Sequence, residues 1–226
     1  SGPGPPLPGS GGDQRDDQRP AVASEPPPSP ARPESFRPSG PDDLAPPGAA
    51  AKLRANLDAL TVLNRCRDEG GRWASAEEQA VLARWSGWGA IPQVFDPADD
   101  RYAEERAELR QLLRTETGWA QARRTTLNAH YTSAPVVQAM WHAAQQLGVD
   151  GEGVRVLEPG CGSGNFIGFA PSGAVLTGVE LDKTTAEVAQ HLYGARATIE
   201  ATAFEELRVQ DGAFDMVIGN VPFAKV

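Results

Sequence analysis

The chain has little sulfur, little histidine and no long apolar run. Its 226 residues include two cysteines, two methionines and three histidines. Cys66 and Cys161 stand far apart with no CxxC pair or Cys/His spacing, so neither a disulfide framework nor a metal site is expected. No stretch approaches ~18 consecutive apolar residues, which argues against a membrane span. A signal-peptide pattern is missing too, and the cytoplasm is the expected compartment. Positive charge is also scarce: 21 Lys and Arg face 30 Asp and Glu, for a net charge of −9. A chain this acidic is not a free-standing phosphate binder, because nucleic-acid affinity needs a basic footprint. No Ser/His/Asp triad or paired carboxylates stand out.

Composition is uneven. Fourteen of the 20 prolines fall in the first fifty residues, which hold almost no large apolar side chains. Such a segment buries too little surface to offset chain entropy, so residues 1–48 are expected to be a disordered Pro/Gly-rich tail. About 175 residues remain, enough for one core. The chain opens on Ser and stops directly after its last motif, so a fragment or processed piece is expected.

Residues 49–125 read as a helical extension. Leu53, Leu57, Leu60 and Leu63 lie at helical spacing over 50–68, ended by "DEGGR". "SAEEQAVLARW" opens with Ser75-x-x-Glu78, a capping box. "SGWGAIPQVFD" is a loop; Trp73, Trp85 and Trp88 belong to the core of this region, and Trp88 has the alternative of facing a cleft. In the helix over 101–114, Arg106, Arg110 and Arg114 make one stripe, read as a solvated face paired with Glu104, Glu105 and Glu108, with a phosphate-facing stripe as the alternative.

From 126 onward the pattern alternates. A helix follows Ser133, a candidate N-cap, with Pro135 in its first turn. Strands are predicted at 154–158, 174–180, 197–201 and 214–220, with helices from Asn165 and over 183–193. Strand–helix–strand repetition predicts an α/β fold with a parallel, Rossmann-like sheet.

"LEPGCGSGNF" leaves a strand through an acid, Glu158, and enters a helix through Gly160, Gly162 and Gly164. Glycines there let the backbone turn sharply and approach a ligand closely. Glu180 closes the next strand, where an acid accepts both hydroxyls of a ribose. A dinucleotide oxidoreductase would share these features. Glu158-Pro159 ahead of the first glycine instead resembles motif I of S-adenosylmethionine-dependent DNA methyltransferases of the amino-methylating type. "AHYTS" (129–133) is similar to their motif X, with Tyr131 and Thr132 matching and Ser133 in place of Pro. "GNVPF" is similar to motif IV, Asn-Pro-Pro-Tyr/Phe. The order X, I, IV is that of the gamma group of adenine-N6 methyltransferases. Together with "NLDALTVL" and "AEEQAVLARWSGWGAIPQVFD", these stretches resemble phage- and plasmid-borne fusions of a methyltransferase-like region to a helicase, the DarB antirestriction type.

The resemblance implies that residues 126–226 are the N-terminal part of a methyltransferase domain, truncated after motif IV. S-adenosylmethionine would be held by Tyr131, Thr132, Glu158, Gly160, Gly162, Gly164 and Glu180. Asn220, Pro222 and Phe223 would hold a flipped-out adenine of DNA. An exocyclic amine is a poor nucleophile, and Asn220 offers a side-chain oxygen to its hydrogens. Pro222 keeps residue 221 extended, and Phe223 offers a π-face for stacking. An ordinary strand ending in a proline loop is the alternative. The family's acid after the third strand is replaced by Ala203, with Glu200 or Glu205 as substitutes, so weak cofactor affinity is expected. The piece alone is expected to methylate nothing. A non-catalytic DNA-positioning module beside a helicase, an RNA-base methyltransferase and a protein-glutamine methyltransferase remain open.

Overall fold

In the computed structural model, the structure describes residues 2, 4, 32–127, 131–149 and 152–220. Four helices form the first layer: α1 (Ala49–Asp68), α2 (Ala76–Leu82), α3 (Ala103–Leu113) and α4 (Glu116–Arg124). The second part runs α5 (Ala134–Gln146), β1 (Arg155–Pro159), α6 (Asn165–Phe169), β2 (Val175–Val179), α7 (Lys183–Tyr193), β3 (Ala197–Glu200) and β4 (Met216–Val217). All strand pairs are parallel, in the order β3-β2-β1-β4.

The strands align Val156 with Leu176 and Met216, and Glu158 with Gly178. Val156, Leu176, Ile199 and Ile218 are buried on this face. Crossovers from β1 to β2 and from β2 to β3 step the same way, so right-handed connections put α6 and α7 on one side. On the alternate face Val175 and Val217 are 54% and 61% exposed.

α1 forms because its leucines recur every three to four residues, and Leu53, Leu57, Leu60 and Leu63 are all buried. α2 starts at the expected capping box: Ser75 accepts from Glu78 N–H while the Glu78 side chain accepts from Ser75 N–H. The loop after α2 is tied down by Asn56, fully buried, which donates to Gly87 O (2.6 Å) and accepts from Ser86 N–H (2.9 Å). That grip fixes Trp85 and Trp88, whose rings meet edge-on, and Trp88 meets Phe95 the same way. Trp88 is therefore a core residue and does not face a cleft.

Two expectations are corrected. Residues 32–48, placed in the disordered tail, pack as a strap. Phe36 N–H donates to Leu192 O (2.8 Å), Gln79 donates to Glu34 O (3.1 Å), Arg32 stacks over Trp73 at 3.8 Å, and Leu44 is buried. Its few large side chains suffice because they join an existing core and need not build one. The arginine stripe is paired as expected, but with other partners. Arg106 donates to Asp96 O and Asp99 O, Arg110 to Glu116 and Arg114 to Asp68, while Glu108 is taken by Arg54. Its guanidiniums are thus engaged within the chain, the pairs of Arg110 and Arg114 at the surface.

Candidate functional site

In an open parallel sheet, ligands bind outside the carboxyl ends of the strands where the strand order reverses. Here β1 has β2 on one side and β4 on the other, so the switch lies between β1 and β4. The glycine turn leaves β1 at that edge. Gly160, Gly162 and Gly164 have φ of 64°, 57° and 90°, the left-handed region that suits glycine. Cys161 N–H donates to Val179 O (2.9 Å) and Gly164 N–H to Cys161 O (2.9 Å), which pins the turn against β2.

Glu180 follows β2 and closes over the turn. Its Oε2 accepts from Gly162 N–H (2.9 Å) and its Oε1 from Asp182 N–H (2.8 Å). Burial raises its pKa above the ordinary carboxylate range, and the N–H groups of Asp182 and Gly162 work the other way. Both oxygens keep lone pairs, so a diol can still be accepted.

Tyr131 lies across the turn. A Cβ on Gly162 would stand 3.0 Å from Tyr131 Cε1, so only glycine fits beneath the ring. Burial, then the charges of Glu180 and Asp182, push its phenol far above its usual value. Thr132 is brought in through its carbonyl, which accepts from Asn165 Nδ2 (3.2 Å) at the start of α6. Ser133 occupies the N-cap position of α5 without a side-chain capping bond. The structure thus unites Tyr131, Thr132, Gly160, Gly162, Gly164 and Glu180 at one edge.

Glu158 is placed differently. It is 5% exposed, beneath the turn, with Trp141, Phe166, Ile167, Leu176 and Ile218 around it. Its Oε2 has no partner among the described residues. Burial first, and Glu180 second, push its pKa well up, which favours the neutral acid. Cys161 is also buried, and burial first, then the charges of Glu158 and Glu180, push its thiol well up.

Asn220 closes the edge from the β4 side. Ile218 N–H donates to Leu157 O (3.0 Å), and a Cβ on Gly219 would stand 3.4 Å from Pro159 O. Asn220 comes next, exposed, beyond the carboxyl end of β4, which runs parallel to β1 and so ends on the side where the glycine turn begins. Pro222 and Phe223 lie outside the described residues. Glu200 and Glu205 are both exposed, and neither makes a side-chain contact that marks it as the substitute for the acid expected at Ala203. Sequence reasoning missed Asn165, and also Asp182 with Thr185. The signal for the latter pair was present: Asp182-x-x-Thr185 is an N-cap pattern directly behind the ribose acid, and Asp182 accepts from Thr185 N–H (2.9 Å).

Among the described residues no group of three or more His, Cys, Asp or Glu could hold a metal, and no helix is long and apolar enough to cross a membrane. The turn and the acid fit a nucleoside carrying a ribose diol, with the Tyr131 ring packed over Gly162.

Residues 157–223 match the family described as a methyltransferase domain. Over 174 residues the chain is 31% identical to the "Defense against restriction protein B" of Escherichia phage P1, covering 76% of this chain and 6% of that protein. Over 108 residues it is 35% identical to the "Type II methyltransferase M.XamI" of Xanthomonas campestris pv. amaranthicola, covering 43% of this chain and 20% of that one. A solved putative RNA methyltransferase from Pyrococcus horikoshii aligns with a TM-score of 0.37 at 23% identity, over 43% of this chain and 48% of that one. The chain spans a small part of both curated relatives. Over residues 157–223 it is similar to a methyltransferase domain.

Proposed function

We propose that this chain supplies the cofactor half and the first catalytic residue of an adenine-N6 DNA methyltransferase. One observation carries the reading: Asn220 emerges from β4 on the edge from which the glycine turn emerges from β1, across the switch point. An amine held by that carboxamide would face the cofactor's position. The names of the two curated relatives, a restriction-defence protein and a type II methyltransferase, favour DNA as the substrate class.

When bound, the cofactor supplies an electrophilic methyl group. Glu180 would accept the ribose hydroxyls, with its carboxylate already oriented by Gly162 and Asp182. The left-handed turn over Gly160–Gly164 would let the main chain approach the amino-acid portion, beside Tyr131 and Thr132. Glu158, buried, would support the turn from below, one step removed from the cofactor. Asn220 Oδ1 would accept an N6 hydrogen, which biases the amine lone pair toward the methyl carbon. The displaced proton would leave to water at this exposed edge. Pro222 and Phe223 would hold and stack the base.

The net charge of −9 leaves most of the DNA grip to other surfaces, and a fused or adjacent helicase region is part of this proposal. The test is transfer of labelled methyl to adenine-containing duplex by the longest protein that carries this chain. Label in N6-methyladenine, lost in Asn220→Ala with cofactor binding kept, is expected. Label in RNA or in a glutamine side chain would overturn it.

A further inference from the structure

Beyond the glycine turn, two sets of hydrogen bonds that meet at Asp182, one on its side chain and one on its main-chain N–H, run from the helical extension into the acid that would hold the ribose. Trp85 Nε1–H donates to Thr185 Oγ1 (3.1 Å). Thr185 Oγ1 lies 2.7 Å from Asp182 Oδ2, which also accepts Thr185 N–H (2.9 Å). Asp182 N–H donates to Glu180 Oε1 (2.8 Å), and Gly162 N–H to Glu180 Oε2 (2.9 Å). The direction of each proton is fixed by chemistry. An indole N–H only donates, so it uses an acceptor site of the threonine oxygen and leaves the single hydroxyl proton to Asp182. Trp85 and Thr185 are both buried, so water does not substitute for either partner. The Trp85 ring cannot drift either, because it packs edge-on against Trp88 at 5.7 Å in a loop clamped by Asn56.

We propose that Trp85 and Thr185 are positioning residues of the cofactor site, and that the helical extension thereby sets the rotamer of Glu180. This rests on the reading of Glu180 as the ribose-binding acid. Thr185 locks the side chain of Asp182 as the cap of α7, and the locked cap aims Asp182 N–H at Glu180. The extension is therefore a working part of the cofactor pocket through Trp85.

The experiment is titration calorimetry of the full chain with S-adenosylhomocysteine, alongside thermal melting of each variant. Thr185→Val removes the hydroxyl at constant shape and should weaken binding roughly tenfold, the scale of a lost hydrogen bond to a charged group. Thr185→Ser keeps the hydroxyl and should bind within about twofold of the unsubstituted chain. Trp85→Phe should weaken binding severalfold, and adding it to Thr185→Val should cost little more, because the two act through one line. Equal affinity for Thr185→Val and the unsubstituted chain overturns the inference. So does equal loss in Thr185→Ser and Thr185→Val, which would mark a packing role. If the unsubstituted chain binds nothing, the cofactor reading itself fails and the inference falls with it.

Discussion

Two single residues test the site most sharply. Gly162 sits at φ 57° beneath the Tyr131 ring, so Gly162→Ala meets both backbone strain and a 3.0 Å contact. A strained non-glycine residue costs of order 1–3 kcal/mol. We expect a loss of that size in a denaturant melt, together with loss of cofactor binding in calorimetry. Glu158 gives a pH prediction. Its folded pKa is raised, so the native state holds a proton that the unfolded chain releases. Its contribution is complete below the ordinary carboxylate range and is lost as pH rises through the raised value. Thermal melts from about pH 5 to 8 should fall more steeply for the unsubstituted chain than for Glu158→Gln. At residue scale the glycines and Glu180 were singled out by spacing, and the structure brings them together at one turn. Spacing put Glu158 with them because an acid next to a glycine turn looks the same whether it points up or down. Strand parity decides that: Glu158 shares the helix-covered face with Val156, buried against α5 and α6.

At the scale of elements, strongly periodic segments were legible and short ones were not. α7 covers 183–193 as its pattern predicts, and α1 runs over Ala49–Asp68 against an expected 50–68. β4 was expected over 214–220, yet only Met216 and Val217 pair as strand. It lies at the sheet edge with β1 as its neighbour, so apolar content alone did not set its length. α4 escaped notice because its only large apolar residue is Trp119, which packs against Phe95 and lies under Arg110. α2 is short and leans on its cap. Glu78 joins the capping box and the Arg72 guanidinium, and Arg72 holds its pKa down to about 2. Its contribution is present above the ordinary carboxylate range and lost as pH falls toward 2. Ser75→Ala should cost about 1 kcal/mol in urea melts.

Across the whole molecule, the α/β part is fastened to the helices on several sides. The strap crosses the ends of α6 and α7, Arg67 pairs with Glu187, and His191 Nδ1 accepts from Ala74 N–H (3.1 Å). Burial lowers the His191 pKa, in keeping with this neutral acceptor role. Leu44→Ala distinguishes a packed strap from a disordered tail: a drop of about 2 kcal/mol or more in a melt is expected, and no change would contradict the packing. The strap was illegible because proline-rich composition reports how little a segment can bury alone, not what it can lean on. The central claim is that the Gly160–Gly164 turn and Glu180 form a cofactor pocket within this chain. Calorimetric titration with S-adenosylhomocysteine tests it most directly. Saturable one-to-one binding, abolished by Glu180→Ala in a chain that still melts cooperatively, is the result predicted; no binding by the folded, unsubstituted chain would contradict it.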